Sequence, residues 1–239
     1  MNTIYKPKGA AAEYGDYALN IYTGCPHRCY YCFAPQVLHR EREVFHSYVE
    51  PRKNIVAELR RKLELEQITG ELVHLCFTCD PYPTGYGTAT TREVIQALKE
   101  YGNHVQILTK GSGRRDFDLL DSGDWYGVTI SCGLEMAAKA EPHAEIVGRR
   151  IADIILAKSM GIHTWVSFEP VLDPAMVLKC IKVCACTIDK VKIGKLNYHP
   201  SEIDWAKFGR EAGALCREMG LDYYIKDSLR AEMNRRNLQ

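Results

Sequence analysis

The chain has 239 residues, with 31 Lys and Arg against 30 Asp and Glu, so its formal net charge is +1. This length suits one α/β barrel domain, and the balanced charge gives no bulk attraction for nucleic acid, although a local basic patch is still open. Ten cysteines, no apolar run of transmembrane length and no signal peptide in residues 1–17 exclude a small secreted disulfide scaffold and predict a reducing cytoplasm without membrane association.

An N-terminal arm, residues 1–17, comes first in the chain and is polar and rich in glycine and alanine. It lacks the periodicity of a helix or a strand, so we expect a surface arm that is either mobile or covers the base of the domain. The remaining residues, 18–239, contain no composition break, repeat or Gly/Ser-rich linker. We therefore predict that they form a single domain.

A cysteine-bearing loop over residues 24–35 follows a short alternating strand predicted over residues 18–23. It carries Cys25, Cys29 and Cys32 in the pattern Cys-x3-Cys-x2-Cys. Thiolates at such local spacing are the usual ligands of iron–sulfur clusters, and three of them leave one iron of a [4Fe–4S] cluster open. A zinc knot and a ferredoxin-like carrier are the alternatives, but zinc prefers four protein ligands and a ferredoxin needs a fourth cysteine for each cluster.

Alternating helices and strands are predicted by hydrophobic periodicity over the rest of the chain. The predicted helices span residues 53–67, 90–101, 115–120, 144–160, 174–184 and 201–219, followed by a short terminal helix. The predicted strands span residues 72–77, 104–109, 125–131, 163–168, 190–193 and 222–225. Ser201 to Asp204 has the form of a capping box for the last long helix. Regular alternation with short connections predicts an α/β fold with a parallel sheet of about seven strands.

Residues 20–32, including Tyr31 just before the third cysteine, resemble the signature of radical S-adenosylmethionine (SAM) enzymes. Asp80-Pro81-Tyr82, and Glu141-Pro142 followed by Arg149-Arg150, are similar to the subgroup around spore photoproduct lyase. The resemblance implies a partial (β/α)6 TIM-like barrel of the radical SAM type. It also implies a [4Fe–4S] cluster on the three cysteines, with SAM on the fourth iron.

The resemblance further implies a reaction, in which a flavodoxin or ferredoxin supplies one electron to the cluster. The S–C5′ bond of SAM then breaks, and a 5′-deoxyadenosyl radical takes a hydrogen atom from the substrate. The lyase-like subgroup suggests a nucleic acid or nucleotide as substrate, whereas the near-zero charge and the short chain argue against a separate DNA-binding part. The rival function is an iron–sulfur electron carrier or redox sensor without SAM chemistry.

Polar residues at the predicted strand ends are further site candidates, because chemistry gathers at the carboxyl ends of parallel barrel strands. The resemblance implies cofactor-binding roles for Tyr31, Asp80, Lys110, Ser131, Arg150, Glu169 and Asn197. Structural alternatives exist for most of them: a turn aspartate or asparagine, a solvated lysine, a capping glutamate, or an arginine paired on a helix surface with Glu145 or Glu141.

Several cysteines lie outside the loop. Cys79 and Cys132, at two strand ends, are candidate hydrogen-atom donors because a thiol can give a hydrogen atom to a carbon radical, although buried structural cysteine is commoner. Cys180, Cys184 and Cys186 leave a second cluster or a zinc site open, but we expect free core cysteines there.

Overall fold

The computed structural model describes residues 3–235. These residues form an eight-stranded sheet whose strands are neighbours in chain order. The strands are β1 (Ile4–Tyr5), β2 (Tyr17–Leu19), β3 (Leu72–Leu75), β4 (His104–Thr109), β5 (Trp125–Thr129), β6 (His163–Phe168), β7 (Lys190–Ile193) and β8 (Asp222–Ile225). β1 is antiparallel to β2, and each later pair is parallel. Within the described residues β8 does not pair with β1, so the barrel is partial.

Helices alternate with the parallel strands, as the sequence predicts. They are α1 (Ala34–Val37), α2 (Arg42–Ser47), α3 (Ile55–Leu65), α4 (Ala89–Glu100), α5 (Leu134–Ala140), α6 (Val147–Ser159), α7 (Pro174–Cys184), α8 (Trp205–Glu218) and α9 (Asp227–Arg235), with 3-10 helices at Gly9–Glu13 and Arg114–Leu119. In α3, Ile55, Leu59 and Leu63 recur every four residues and are buried. This apolar stripe packs toward the core while the charged face stays in solvent.

The sheet core is apolar, and almost all residues of the central strands are buried, as expected when helices cover a parallel sheet. Trp165 of β6 fills the space next to β5, where its indole nitrogen donates to the carbonyl of Ile107 at 3.0 Å. Only glycine fits at position 127 of β5, because a Cβ there would clash with the Trp165 ring. One hydrophobic cluster contains residues from Ile4 to Leu229, which supports a single domain.

The N-terminal segment differs from the predicted surface arm. Ile4 is fully buried and pairs with Leu19, so this segment supplies the antiparallel edge strand. The ring of Tyr14 lies 4.9 Å from the His74 ring, between centroids, and Lys192 donates to the carbonyl of Glu13 at 3.0 Å. The segment therefore contacts residues of the barrel interior.

Several predicted element boundaries were wrong. The helix predicted over 201–219 begins at Trp205, because Asp204 caps it by accepting from the Lys207 amide at 3.0 Å; the capping box is therefore not formed. The strand predicted over 18–23 ends at Leu19. The next residue, Asn20, instead uses its side-chain oxygen to accept the amides that follow β3, at 2.8 Å each.

Candidate functional site

The cysteine loop is held against α2 by backbone contacts. A side chain at Gly24 would clash with the carbonyl oxygens of Phe45 and Tyr48, so only glycine fits this close approach. His46 donates from Nδ1 to the carbonyl of Cys25 at 2.7 Å, because a carbonyl can only accept. The loop is thus anchored at its first cysteine by the helix that follows it.

Arginine side chains satisfy the carbonyl groups of the loop. Arg42 donates to the carbonyl of Cys32 at 3.2 Å and also to that of Cys29. Arg28 adopts a left-handed backbone conformation, with φ of 53°, between the first two cysteines. The turn directs the chain back toward the barrel and leaves no loop carbonyl to be buried without a donor at these two positions.

The three loop thiols fit the ligand set of an iron–sulfur cluster, because they supply three thiolates from eight consecutive residues and leave one iron of a [4Fe–4S] cluster open. A structural zinc site usually takes four protein ligands. Burial raises the pKa of the Cys29 thiol to about 12, so this thiol loses its proton when metal binds.

Glu141 is the buried centre of a network beneath the loop. The hydroxyl of Tyr31 donates to it, and the hydroxyl of Ser131 donates to Oε1 at 2.5 Å. Burial alone would raise the pKa of Glu141, but the positive charges of Lys110 and Arg150 hold it below its usual range. Sequence reasoning noticed Glu141 only as part of a motif and did not place it in the site.

Arg150 is held by three contacts with the protein. Its guanidinium is buried and pairs with Glu141 at 2.6 Å, while two other nitrogens donate to the carbonyls of Thr129 and Glu145 at 2.9 and 2.8 Å. The sequence predicts that Arg150 binds the SAM carboxylate. In the structure each of its three guanidinium nitrogens already contacts a protein oxygen. The alternative partner Glu141 is correct, but the pair is buried and not on a helix surface.

Asp80 links the loop to two strand ends. It accepts from the amides of Tyr82 and Lys110 at 2.8 Å each and from the hydroxyl of Thr109 at 2.5 Å. It also faces Nδ1 of His27 at 3.5 Å. With these partners Asp80 joins the loop to the two strand ends, and its cofactor-binding role stays a prediction. Lys110 lies beside this link, with its ammonium 5.5 Å from the centroid of the Tyr31 ring.

A second polar group lies in the barrel interior around Glu169. Its Oε2 accepts from Tyr14 at 2.9 Å and from Lys226 at 2.8 Å, and the amide of Asn197 approaches Oε1 at 3.4 Å. Gly194 is required beside it, because a Cβ there would lie 2.7 Å from the carboxyl group. Tyr14, Glu169 and Asn197 are each partly exposed, so this group lines the opening. The sequence reasoning missed Lys226, although its position directly after the last strand could have marked it as a site candidate. It also missed Tyr14, which no sequence pattern marks.

Two cysteines proposed as hydrogen-atom donors differ in access. Cys132 is fully buried, with its sulfur 3.6 Å from the hydroxyl of Ser131. Cys79 is partly exposed and accepts from the amide of Tyr22 at 3.4 Å. Burial by itself would raise the pKa of Cys79, but hydrogen bonds from Cys76 and Tyr22 lower it. Access therefore favours Cys79 over Cys132.

Cysteines elsewhere form no second centre in the described chain. Cys184 is buried, Cys180 is partly exposed and Cys186 is exposed, and all ten cysteines are free. His104, Asp121 and Asp124 do gather within 4.8 Å at the opposite end of the strands. Lys99 occupies that group, with its ammonium 2.5 Å from Asp121 and 2.6 Å from Asp124.

Between residues 3 and 235, no helix has the length and apolarity needed to cross a bilayer.

Comparison with known proteins agrees with this geometry. Residues 19–180 match the model of the radical SAM superfamily. An uncharacterized protein of Mycobacterium tuberculosis is 30% identical over 184 residues, which are 72% of this chain and 54% of that protein. The chain therefore spans about half the length of this curated relative.

Two solved structures share the fold. Spore photoproduct lyase with bound AdoMet and a dinucleoside spore photoproduct has a TM-score of 0.63 at 14% identity, covering 90% of this chain and 65% of that one. Streptococcus suis SuiB bound to S-adenosylmethionine has a TM-score of 0.65 at 11% identity, covering 87% and 46%. The family resemblance and the partial barrel predicted from the sequence are confirmed.

Proposed function

Because the chain belongs to the radical SAM superfamily, we propose that it is an enzyme that removes a hydrogen atom from an organic substrate. Its cofactors are a [4Fe–4S] cluster and SAM. Together these supply reductive cleavage of the S–C5′ bond and a 5′-deoxyadenosyl radical. The observation that carries the proposal is the loop of three thiols anchored on α2, which supplies three ligands of a [4Fe–4S] cluster and leaves one iron open.

The loop residues have separate tasks in this proposal. Cys25, Cys29 and Cys32 hold the cluster, and the loop geometry leaves one iron without a cysteine. The carboxylate of Glu141 accepts a hydrogen bond from the Tyr31 hydroxyl and so holds in place the residue next to the Cys32 thiol. The ammonium of Lys110 lowers the pKa of the Cys29 thiol against the larger effect of burial, which favours the thiolate that binds iron.

The Glu169 group serves the organic ligands. Its Oε2 is occupied by Tyr14 and Lys226, whereas Oε1 has only the long contact with Asn197. A carboxylate oxygen with spare acceptor capacity suits a hydroxyl of SAM or of the substrate. Cys79 is the more accessible of the two candidate hydrogen-atom donors, because it is partly exposed whereas Cys132 is buried.

For the substrate, we keep a nucleic acid or nucleotide as a second-level proposal, supported by the fold shared with spore photoproduct lyase. The two arginines that follow β4 do not strengthen it. Arg115 pairs with Asp116 at 2.9 Å, and Arg114 lies 3.5 Å from Asp153, so both charges are partly compensated. DNA affinity that is unchanged when both are replaced by alanine would argue against a nucleic acid held there.

A flavodoxin or ferredoxin is the proposed electron donor, and a reducing compartment is proposed because all ten cysteines are free thiols. The deciding experiment uses protein reconstituted with iron and sulfide without oxygen. EPR spectra of the reduced protein are recorded with and without SAM, and 5′-deoxyadenosine is quantified in the same sample.

A spectrum that shifts with SAM, together with 5′-deoxyadenosine, is the expected result. A cluster signal indifferent to SAM, without cleavage, would instead support the electron carrier or sensor. Cys29→Ala is the negative variant, and Cys186→Ala is its matched control, because Cys186 is exposed and outside the loop.

A further inference from the structure

Cys76 and Cys79 form a Cys-x-x-Cys pair directly after β3, outside the cysteine loop. Cys79 is a candidate hydrogen-atom donor, whereas Cys76 has no role in the proposed function. Both are free thiols. Two cysteines at this spacing are typical of redox-active dithiols, in which one thiol attacks an external disulfide and the other resolves the mixed disulfide that results. The pair is therefore a candidate for thiol–disulfide chemistry.

The segment between the two cysteines is bent. The backbone bends at Phe77, Thr78 and Cys79, and the side-chain oxygen of Asn20 accepts the amides of Phe77 and Thr78 at 2.8 Å each. A bent segment of four residues brings the Cα atoms at its ends within about 7 Å, and a disulfide needs a Cα separation of about 4.4–6.8 Å. The bend held by Asn20 therefore suits a disulfide between Cys76 and Cys79.

The two sulfur atoms are neighbours in the reduced protein. The Cys76 thiol is hydrogen-bonded to the sulfur of Cys79. The amide of Tyr22 donates to the Cys79 sulfur at 3.4 Å, and the amide of Ile21 donates to the Cys76 sulfur. Two consecutive amides of the segment before the cysteine loop thus hold one sulfur each, which keeps the two thiols side by side.

The two thiols differ in access and in acidity. Cys79 is partly exposed, whereas Cys76 is only 7% exposed. Burial by itself would raise the pKa of Cys79, but the hydrogen bonds from Cys76 and Tyr22 lower it. Burial holds the pKa of the Cys76 thiol well above its usual range. Because the thiolate is the nucleophile in disulfide exchange, Cys79 is suited to attack and Cys76 to resolve.

We propose that Cys76 and Cys79 are a redox-active dithiol, which a low-molecular-weight disulfide oxidises to an intramolecular disulfide. The Cys79 thiolate attacks one sulfur of the external disulfide, and one external thiolate leaves. The Cys76 thiol then loses its proton and attacks the sulfur of Cys79, so that the second external thiolate leaves. The protein gives up two electrons and two protons, and the external disulfide becomes two thiols.

Oxidation of this pair removes the S–H group of Cys79 and leaves the three loop thiols untouched. If the proposed function is correct, the oxidised enzyme still cleaves SAM but lacks its accessible candidate for hydrogen-atom donation. The disulfide itself does not depend on that function. In a reducing compartment, disulfides of this kind are transient and serve catalysis or redox sensing.

The test exposes the reconstituted holoenzyme, without oxygen, to glutathione buffers with a rising share of oxidised glutathione. Free thiols are then alkylated. Both cysteines lie in one tryptic peptide, residues 63–92, so mass spectrometry should show this peptide losing both thiols together in the wild type. Cys76→Ser should stop at a glutathione adduct on Cys79. In Cys79→Ser, Cys76 should react roughly tenfold more slowly than Cys79 does in Cys76→Ser, because a buried thiol keeps its proton.

Cys180 and Cys184 are the matched control pair, because one is partly exposed, the other is buried, and both lie on one face of α7. Cβ atoms at this helical spacing are about 5–6 Å apart, whereas a disulfide needs about 3.5–4.5 Å, so no disulfide is expected there.

The proposal is overturned if Cys76 and Cys79 stay reduced in the wild type, if a glutathione adduct on Cys79 persists unresolved, or if Cys180 is oxidised to the same extent. The thiol measurement needs no SAM. An absence of 5′-deoxyadenosine in a parallel sample would therefore count against the proposed function alone.

Discussion

The cysteine loop and the Glu169 group lie in one barrel but are built in opposite ways. The loop places its three thiols within eight residues of sequence, and its supports come from the neighbouring helix α2. The Glu169 group joins Tyr14 to a carboxylate 155 residues later. Local spacing brings the three thiols together, whereas only the assembled sheet brings Tyr14, Glu169 and Lys226 together. Damage to the loop should therefore remove the metal and spare the fold, and damage to the Glu169 group should do the reverse.

The largest effect is expected for Cys29→Ala, since two thiols cannot hold the cluster that three hold. Iron content and SAM cleavage fall to background, whereas the unfolding midpoint of the metal-free protein moves little. Iron analysis, 5′-deoxyadenosine assay and thermal unfolding of the metal-free form check this. Cys186→Ala keeps full iron. A Cys29→Ala protein that retained the cluster would show that the motif is not the metal site.

Glu141 tests whether the loop also depends on buried support. Glu141→Ala leaves the buried charge of Arg150 without its partner, which should lower the free energy of unfolding by about 3–5 kcal/mol. Replacing the pair by Glu141→Leu with Arg150→Met should recover much of that loss. Urea denaturation measures both. Glu43→Ala, which breaks the exposed pair with Arg28, is the control and should change stability little; an equally small change for Glu141→Ala would contradict the network.

Tyr14→Phe tests the assembled group. It removes a hydrogen bond of 2.9 Å to a carboxylate, which should cost about 1–2 kcal/mol of unfolding free energy. Iron content should stay at the wild-type level, because no loop contact is touched. Tyr48→Phe, at an exposed hydroxyl bonded to Glu50, is the matched control. Loss of iron in Tyr14→Phe would show that the two regions are not separable.

The smallest expected effect on folding stability, and the one that depends most on pH, comes from the ammonium of Lys192. Burial, with the nearby charges of Lys190 and Lys226, lowers its pKa to about 8, against about 10.4 in an unfolded chain. Between these values the unfolded state binds more protons, so folding stability rises with pH. Compared with Lys192→Met, the wild type should gain on the order of 1 kcal/mol from pH 7.5 to 9.5. Parallel curves from urea denaturation would contradict a buried, destabilised ammonium.

Much of the fold could be predicted from the sequence. The features that could be predicted depend on residues close together in the chain, and those that could not depend on contacts between distant residues. The α/β alternation, α7 and the last two strands match because apolar periodicity is a local property. The thiol loop matches for the same reason. For Arg150 the sequence offers Glu141 as one of two structural partners, but a pattern cannot show that this pair is buried.

The N-terminal segment shows the limit most clearly. Its polar, glycine-rich composition predicts a surface arm, yet Ile4 and Tyr14 are enclosed by residues from distant strands. The same holds for Lys226, which the sequence does not single out and which is buried against Glu169 in the structure. In each case a tertiary contact overrides the local preference, and no local pattern reports that contact.

The Glu169 group joins residues that are synthesised at different times. Tyr14 is synthesised 212 residues before its hydrogen-bond partner Lys226. A nascent chain can therefore present the complete thiol loop long before the interior is sealed, because β8 must emerge before Lys226 can reach the carboxylate. Contacts of such long range form slowly. The contacts of Glu169 with Lys226 are therefore among the last that the growing chain can complete.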